Sequence, residues 1–433
     1  MSISEWKEVK LGEVCTLGDG AHTKVKRLDR GILYLSSKNI QNGKLNLDDV
    51  SYISEDDYTK LFSLSRSSVR NLQDGDVLIG IIGTIGNAYV YRINDRFGIS
   101  SSVAIIRPNP QELKSGFLYY VLSSNYFQKI LASVKGGSVQ GYTNLPLLRS
   151  LPITIPPIHE QKAITSTLSC LDDKIELNNC INKNLEEIAQ AIFKSWFVDF
   201  EPFQDGEFED SELGRIPKGW RVGTIGDLIS DTLGGDWGKE VPQGNYSQEV
   251  ICIRGADIPE IATGKKGKPP TRYILEKNLE KKRLSEAQII IEISGGSPTQ
   301  STGRTALITH QLVNFAGKPM VCTNFCRALS MKKEYYATFV YSILHYLYNK
   351  DIFFLFENGT TGIKNLDTNN LFSKYLIVLP DDETMIRYKE IFDTIINSIY
   401  QNGDEIDKLS TTRDTLLPKL MSGEIRVPIE EVQ

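Results

Sequence analysis

The sequence predicts an α+β fold: two tandem α/β domains, each followed by one long helix, with the two helices paired antiparallel as a coiled coil. An internal repeat, two heptad patterns in one register and a globular composition predict this fold. The chain has 433 residues, of which 40% are hydrophobic and 24% are charged. That length exceeds the usual size of one hydrophobic core, and that composition is typical of folded proteins. No segment approaches the roughly eighteen uninterrupted apolar residues of a membrane span, so we expect a cytoplasmic protein with no membrane contact.

The internal repeat supports the two domains. Trp6-Lys-Glu-Val-Lys-Leu-Gly-Glu-Val opens the first half, and Trp220-Arg-Val-Gly-Thr-Ile-Gly-Asp-Leu opens the second half after an acidic linker. In each half, β-rich sequence precedes an apolar helical stretch, an Asn-Leu pair (Asn144-Leu145 and Asn365-Leu366) and a short strand that ends in proline. Proline suits that place because it stops a strand and fits the first turn of a helix. The common order predicts a pseudo-twofold relation between the halves.

A heptad repeat follows each of these prolines. Apolar side chains recur there at the spacing of a coiled-coil seam, which predicts two long helices that bury a common seam. The seam positions are Ile164, Leu168, Leu171, Ile175, Asn178, Leu185 and Ile192 in the first helix, and Ile395, Ile399, Asn402, Ile406, Leu409 and Leu416 in the second. Adding 224 to a seam number of the first helix gives a seam position of the second, with Tyr388 and Phe392 as the counterparts of Ile164 and Leu168, so the register is shared. We expect the helices to pair within the chain; the alternative is that each packs only on its own domain.

Polar and helix-breaking residues mark particular points of the two helices. Asn178 and Asn402 occupy the middle of the seams, where a buried polar residue can fix register, and antiparallel pairing would place them near each other. Gly403 costs about 1 kcal/mol in a helix interior, so a bend is expected there. Pro418 is expected to end the second helix, with an irregular tail after it.

These patterns divide the chain into six segments. They are a first domain at residues 1–155, a first spacer helix at 156–200, a linker at 201–217, a second domain at 218–380, a second spacer helix at 381–417 and a C-terminal tail at 418–433.

Charge is distributed unevenly along the chain. The formal net charge is −5. Residues 1–150 carry +4 and residues 218–380 carry +5, whereas residues 151–217 carry −8 and residues 381–433 carry −6. Because phosphate binding requires clustered Lys and Arg, the two basic blocks are the parts that could face DNA. Ordinary variation in surface charge is the alternative.

No catalytic or metal-binding motif stands out in the sequence. The four histidines lack the spacing of metal ligands or of a hydrolase triad, and no phosphate-binding loop occurs. The glycines of Gly80-Ile-Ile-Gly-Thr-Ile-Gly86 join two β segments, which favours a tight turn over a dinucleotide loop. Cys322 and Cys326 have no nearby histidines, so the six cysteines are expected to be reduced and structural. We therefore expect no catalytic residue and no metal in this chain.

Four longer segments stand out at the ends of the two helices and at the start of the second half. They are Ile155-Pro-Pro-Ile-His-Glu-Gln-Lys162, Lys194-Ser-Trp-Phe-Val-Asp-Phe200, Ile216-Pro-Lys-Gly-Trp220 and Leu416-Leu-Pro-Lys-Leu-Met-Ser-Gly-Glu-Ile-Arg-Val427. They resemble the specificity subunits of type I restriction-modification enzymes, and the likeness spans the whole chain. Shorter segments of the basic blocks resemble the target recognition domains of that family. They are Asp19-Gly-Ala-His22, Ser37-Lys-Asn-Ile40 and Gly83-Thr-Ile-Gly-Asn87 in the first block, and Gly235-Asp-Trp-Gly-Lys-Glu240, Arg254-Gly-Ala-Asp257, Ile293-Ser-Gly-Gly-Ser297, Gly303-Arg304 and Cys322-Thr-Asn-Phe-Cys326 in the second.

The resemblance implies a subunit without catalytic activity of its own. In that family each recognition domain reads one half of a bipartite, asymmetric target in double-stranded DNA, and the paired helices set the unread gap. Two modification subunits, which bind S-adenosylmethionine and methylate adenine, dock along the helices. Restriction subunits, which use ATP and Mg2+, join them for cleavage. The resemblance thus implies no cofactor for this chain itself.

The two basic blocks carry different side chains at one pair of corresponding glycine-containing segments. Gly20-Ala-His-Thr23 in the first corresponds to Gly235-Asp-Trp-Gly238 in the second, so we expect different half-sites. Bases are read by groove contacts, whereas Lys and Arg on phosphates position the protein. The candidate DNA contacts are His22, Lys24, Lys26, Lys38, Ser138, Gln140 and Tyr142 in the first block, and Trp237, Lys239, Ser297, Gln300, Arg304 and Lys364 in the second. Each of them could instead be an ordinary loop residue, and the run Lys265-Lys-Gly-Lys268 could be a solvated loop or a phosphate contact.

Two functions of other classes remain open at this point. One is a self-contained enzyme that modifies or cleaves DNA, and the other is a coiled-coil adaptor that binds only protein. Turnover by the chain alone would favour the first, and equal affinity for specific and scrambled duplexes would favour the second.

Overall fold

The protein divides into two compact units in the computed structural model. The structure describes residues 6–41, 43–63, 69–133, 143–297, 299–359 and 364–428. Unit 1 is formed by Met1–Asp173 with Ser410–Gln433, and unit 2 by Lys174–Leu409. Both units mix helix and sheet. In the described residues, no helix is both long enough and apolar enough to cross a membrane.

Unit 1 is built mainly from short strands. The strands are Lys7–Lys10, Cys15–Asp19, Ile32–Leu35, Ile40–Gln41, Lys44–Leu45, Ser51–Ile53, Val77–Gly80, Ala88–Val90, Phe97–Ile99, Val103–Pro108 and Pro152–Ile155. The α-helices are Leu11–Val14, Glu55–Tyr58, Ser115–Ser123, Asn125–Ser133 and Leu145–Ser150, with a 3-10 turn at Ser37–Asn39 and a π turn at Thr59–Ser63. Central strands such as Val77–Gly80 are buried on both faces, which explains their continuous apolar sequence.

Unit 2 repeats this plan with longer strands. The strands are Phe208–Ser211, Gly214–Pro217, Arg221–Thr224, Ile229–Gly234, Tyr246–Ile253, Thr271–Leu275, Ile289–Glu292, Ser294–Gly295, Thr305–Leu307, Met320–Cys322, Cys326–Met331, Glu357–Asn358, Lys364–Leu366 and Leu376–Leu379. The α-helices are Ile258–Ala262, Glu276–Lys282, His310–Ala316, Tyr336–Asn349 and Thr368–Lys374, with 3-10 turns at Glu201–Phe203, Ile225–Asp227 and Ile352–Phe356.

The internal repeat is visible in the strand topology of each unit. One antiparallel sheet of unit 1 has the order Cys15–Asp19, Val103–Pro108, Val77–Gly80, Ala88–Val90, and one of unit 2 has the order Ile229–Gly234, Cys326–Met331, Ile289–Glu292, Thr305–Leu307. A second sheet in each unit contains one parallel pair, Ile32–Leu35 with Phe97–Ile99 and Tyr246–Ile253 with Met320–Cys322. The first strand also pairs with the last in each repeat, Lys7–Lys10 with Pro152–Ile155 and Arg221–Thr224 with Leu376–Leu379. The predicted repeat is therefore confirmed.

One detail of the predicted repeat is wrong. Asn144 caps its helix by accepting the N–H of Leu147, but Asn365 lies inside a strand, and Asp367 is the residue that caps the equivalent helix by accepting the N–H of Asn370. The counterpart of Asn144 is therefore Asp367 instead of Asn365. Asn and Asp fill an N-cap equally well, so the sequence letters alone misplace this alignment.

Two long helices follow the last strands of the repeats. The first spans Ile158–Phe197 and the second spans Asp382–Met421, 40 residues each. The expectation that Pro418 ends the second helix is wrong, since the helix continues through it for three more residues. Proline has no N–H for the carbonyl of Asp414, so the helix gives up one backbone hydrogen bond there and ends within one turn. The carbonyl of Pro418 still accepts the N–H of Ser422.

The predicted seam is buried in both units. All thirteen predicted seam residues are buried or half-buried. In unit 1, Ile164 and Leu168 share a core with Leu420 at the end of the second helix. In unit 2, Ile192 packs against the core that contains Tyr388 and Phe392, near the start of the second helix. Each unit therefore holds the helices antiparallel, and within each unit the seam also joins the core of the globular part.

An amide cluster lies in the helix pair of unit 2. The side-chain amide of Asn402 donates to the side-chain oxygen of Asn182 at a distance of 2.8 Å. Asn182 in turn donates to the carbonyls of Ile399 and Thr263, both at 3.1 Å. Asn178, which we expected near Asn402, donates instead to Glu405 over 2.7 Å. The stagger of the helices thus moves the partner of Asn402 by one turn, from Asn178 to Asn182. The contact between Asn402 and Asn182 is the kind of buried polar pair that can fix helix register.

Gly403 has a packing reason that the sequence does not show. A Cβ at this position would overlap the backbone of Gly264 and lie 3.1 Å from its Cα, because the loop after the helix Ile258–Ala262 crosses the second long helix there. Gly264 itself has φ +80°. Two glycines therefore permit a direct backbone-to-backbone crossing. The adjacent Lys266 reaches Asp404 at 3.9 Å, so part of the basic run of residues 265–268 lies beside this acidic helix.

Candidate nucleic-acid interface

Loops that connect the paired strands form a cluster in unit 1. This first loop cluster comprises residues 19–22, 36–39, 80–87 and 100–103. Ala21 donates its N–H to the carbonyl of Ile99 at 2.9 Å, and Ile81 donates to the carbonyl of Ser102 at 2.8 Å. The Ser102 hydroxyl also accepts the N–H of Ser37 at 3.0 Å. Backbone hydrogen bonds therefore fix the loops to one another.

The same hydrogen bonds recur in unit 2. The second loop cluster comprises residues 234–238, 254–257, 292–297 and 322–326. The N–H of Asp236 donates to the carbonyl of Cys322, and the N–H of Ile293 donates to the carbonyl of Phe325, each at 2.8 Å. A Cβ on Gly235 would overlap the carbonyl of Thr323.

These matching bonds align the two clusters residue by residue. His22 corresponds to Trp237, and Ser102 corresponds to Phe325. A Cβ on Gly20 would overlap the backbone of Ser100, just as a Cβ on Gly235 would overlap the backbone of Thr323. The clusters therefore share a backbone framework and differ in the side chains that it carries.

The described candidates of unit 1 are exposed. His22 is held by Asp19, whose carboxylate oxygen lies 2.6 Å from Nε2 of the ring. Lys24 and Lys26 are exposed in the segment after it, and exposed Lys38 forms an ion pair with Asp49. An open cleft beside Lys38 is lined by Gln41, Lys44, Thr84 and Asn87 as well.

Three predicted contacts of unit 1, Ser138, Gln140 and Tyr142, lie outside the described residues. The glycine-rich segment of residues 80–86 is a turn between antiparallel strands, as predicted: Gly86 donates its N–H to the carbonyl of Gly80, and Gly83 and Gly86 have φ of +78° and +96°.

Trp237 has the most elaborate support among the candidates of unit 2. The indole is 38% exposed, and the guanidinium of Arg272 lies 3.7 Å from the ring centroid. Arg272 is itself buried, and it forms an ion pair with exposed Glu240 at 3.0 Å. Lys239 is exposed and its ammonium lies 5.6 Å from the ring centroid of Tyr246. A cation stacked on one face of an indole fixes the ring and leaves its other side for a partner.

The remaining candidates of unit 2 lie on connected segments. Ser297 is half-buried, and exposed Gln300 donates to the hydroxyl of Tyr348. Lys364 forms an ion pair with Glu357 at 2.8 Å.

Arg304 is engaged inside the unit. Its Nε and Nη2 donate to the two carboxylate oxygens of Glu292 at 2.9 and 2.6 Å. Glu292 is buried, so this bidentate pair neutralises a buried charge. Arg304 therefore has a structural partner, a contact that the sequence analysis did not foresee.

Three buried thiols of unit 2 show no sign of activation. Burial raises the pKa of Cys252, Cys322 and Cys326 to about 12 in each case, which keeps the thiols protonated. In the part of the chain that the structure describes, no group of three or more His, Cys, Asp and Glu side chains could hold a metal ion.

Comparisons with known proteins agree on one family. Residues 3–187 match the model of the type I restriction modification DNA specificity domain. The chain is 27% identical to the type I restriction enzyme MjaIX specificity subunit of Methanocaldococcus jannaschii, over 98% of this chain and 94% of that protein. It is 25% identical to the HindI specificity subunit of Haemophilus influenzae, over 98% and 100%. Over almost its whole length the chain is therefore similar to specificity subunits of type I restriction enzymes.

A solved specificity subunit has the same fold. The crystal structure of the type I restriction-modification S subunit from M. genitalium aligns with a TM-score of 0.59 and 16% identity, and covers 97% of each chain. This structure confirms the predicted fold class, and the family model and the two relatives confirm the resemblance inferred from the sequence.

Sequence reasoning missed two residues at the second loop cluster: Phe325, which belongs to it, and Arg272, which lies outside it and stacks on its Trp237. Arg272 lies 35 positions from Trp237 in a different strand, and no local pattern announces their stacking. Phe325 is an exposed aromatic between two buried cysteines, and the sequence shows it only as one letter of the motif Cys322-Thr-Asn-Phe-Cys326.

Proposed function

We propose that each loop cluster of this specificity subunit reads one half of a bipartite, asymmetric target in double-stranded DNA. The observation that carries this proposal is the shared backbone framework with different outward side chains. His22 stands in unit 1 where Trp237 stands in unit 2, and exposed Phe325 of unit 2 stands where unit 1 has Ser102, whose hydroxyl is bonded to the backbone of Ser37. Because bases are distinguished by the side chains that reach the grooves, two such surfaces select two different half-sites.

The two long helices set the unread gap between the half-sites in this proposal. Both helices contribute residues to both units, and an amide cluster fixes their register within unit 2. A helical pairing with one register supports one gap length, since B-DNA advances about 3.4 Å per base pair along each strand.

An exposed apolar row on the first helix supports the docking of modification subunits. Leu177, Ile181 and Ile188 are exposed, and their spacing of four and seven places them on one face of the helix. Exposed apolar rows of this kind are typical of protein interfaces. In the assembled complex, S-adenosylmethionine is bound by two modification subunits, and ATP with Mg2+ by the restriction subunits. The specificity subunit itself performs no catalytic step.

Mapping methylated adenines in DNA modified by the assembled complex tests the reading role. We expect one motif with two unlike half-sites and a fixed gap. A continuous motif, or equal binding of specific and scrambled duplexes, contradicts the proposal and favours a protein-only adaptor. Turnover of DNA by this chain alone, with S-adenosylmethionine, ATP and Mg2+ present, would instead favour a self-contained enzyme.

Co-purification tests the docking surface. The double variant Leu177→Ser, Ile188→Ser should lose the modification subunits, because it removes two apolar contacts from one face. Exposed Ile93→Ser in unit 1 is the matched control and should keep them. Retention of the subunits by the double variant would refute this location of the interface.

A further inference from the structure

Phe325 is presented to solvent by a tight turn in the second loop cluster. The N–H of Cys326 donates to the carbonyl of Thr323 at 3.0 Å, which makes Asn324 and Phe325 the central residues of the turn. The ring is 60% exposed although its neighbours Cys322 and Cys326 are buried. The turn thus anchors its two ends and projects the ring outward.

The fold does not require an aromatic side chain at this turn. In unit 1 the equivalent turn closes with the N–H of Val103 on the carbonyl of Ser100, also at 3.0 Å, and its central residues are serines. Ser102, the counterpart of Phe325, packs inward, where its hydroxyl accepts the N–H of Ser37. The same backbone therefore forms with a small polar residue, and burial in the core does not account for the ring of Phe325.

A second, independent feature marks the same surface. The neighbouring turn, joined by the hydrogen bond from Asp236 to Cys322, holds Trp237 on the guanidinium of Arg272. Asp236 is further fixed by Asn278, whose side chain donates to its carboxylate at 2.7 Å. Two exposed aromatic rings therefore lie on turns that a backbone hydrogen bond joins, and both turns are held in place by contacts within the protein before a partner arrives.

We infer that Phe325 is a specificity-determining residue whose ring makes an apolar contact with bases of the half-site read by unit 2. This inference rests on the proposed function. Apolar side chains contact the thymine methyl group or an exposed base step, and such a contact distinguishes sequences without a hydrogen bond. Unit 1 has a serine at the equivalent position, so its half-site is read without this contact.

Competition binding with the full chain in complex with its modification subunits tests the inference. The probes are the intact target duplex and two duplexes in which one half-site is scrambled. Phe325→Ser installs the residue type that already forms this turn in unit 1, and Phe325→Leu keeps an apolar group. Exposed Leu213→Ser, in the hairpin formed by Phe208–Ser211 and Gly214–Pro217, is the control for loss of an exposed apolar side chain.

Phe325→Ser should weaken binding of the intact target on the order of tenfold, the effect of losing one good base contact. Phe325→Ser should lose discrimination at the half-site read by unit 2 and keep it at the half-site read by unit 1. Phe325→Leu should keep more discrimination than Phe325→Ser, and Leu213→Ser should behave as the parent. Equal discrimination by Phe325→Ser and the parent overturns the inference, as does an equal loss in both Phe325 variants. If the parent complex itself fails to distinguish the intact from the scrambled duplexes, the proposed function fails first.

Discussion

Replacing Gly403 by alanine has two opposing effects on stability: a gain in helix propensity and a clash with the backbone of Gly264. In an isolated helix the change would stabilise by about 1 kcal/mol, because alanine is the better helix former. In this protein the added Cβ would overlap the backbone of Gly264, and neither backbone can move as a side-chain end can. Overpacking of this kind costs roughly 1–3 kcal/mol. A displaced loop would also lose the hydrogen bond from Asn182 to Thr263, worth about 1 kcal/mol.

The net expectation is a destabilisation of about 2 kcal/mol, the reverse of the helix-propensity effect. For a domain of roughly 150–250 residues this lowers the melting temperature by roughly 4–8 °C. Thermal unfolding of the complex, followed by differential scanning fluorimetry, measures it. Gln401→Ala, at an exposed position two residues away on the same helix, is the control and should change little. A melting temperature for Gly403→Ala equal to or above that of the parent would refute the backbone crossing.

Three further predictions concern buried polar groups. Arg426→Met should destabilise unit 1 by about 3 kcal/mol, because buried Glu160 loses the guanidinium that lies 2.6 and 2.8 Å from its two oxygens; adding Glu160→Gln should recover part of the loss in a chemical unfolding assay. Asn182→Asp should destabilise unit 2 strongly, since a carboxylate would face the two carbonyls that Asn182 now donates to, whereas Gln401→Asp should be tolerated. Burial, with repulsion from Glu187, raises the pKa of Glu186 to about 7. The folded state therefore holds the proton of Glu186 more tightly than the unfolded state, so the free energy of unfolding is highest below the ordinary carboxyl pKa and falls as the pH rises through about 7. Glu186→Gln should therefore raise the melting temperature more at pH 8 than at pH 5, and an equal gain at both values would contradict the shift.

The parts of the fold that follow from periodicity were predictable. The heptad seam places Ile164 and Leu168 in the core of unit 1, and Ile399 and Ile406 in the buried interior of unit 2, because a repeat of seven fixes which helix face is apolar. The internal repeat was equally clear, since it depends on the order of segments along the chain. Both patterns are local or regular, and a single sequence contains them.

The contacts that depend on tertiary register were not predictable. The pairing of Arg304 with Glu292 needs adjacent strands in one particular register, and only then do the two side chains meet. The partner of Asn402 depends on helix stagger, which moved it from Asn178 to Asn182. Gly403 could be read only as a helix defect, because its reason lies in a glycine 139 positions earlier.

At the candidate site, the sequence indicated segments but not their contacts. Trp237 and Lys38 are exposed within the two loop clusters, and glycine-rich turns and basic side chains are the local signals that mark these segments. Their environments were not foreseen: Trp237 is supported by a buried arginine from another strand, and Lys38 is paired with Asp49. Phe325 was overlooked because exposure is a property of the folded turn and has no separate signature in sequence.

The division between framework and outward side chains in the loop clusters has an evolutionary consequence. Substitutions at Gly20 or Gly235 would be removed by selection because the chain would misfold. Exposed positions such as His22 and Phe325 carry no such packing constraint. Under the proposed function, mutation at these positions would change the recognised sequence one residue at a time without passing through an unstable intermediate, and the cell's own genome would then need protection against each new specificity.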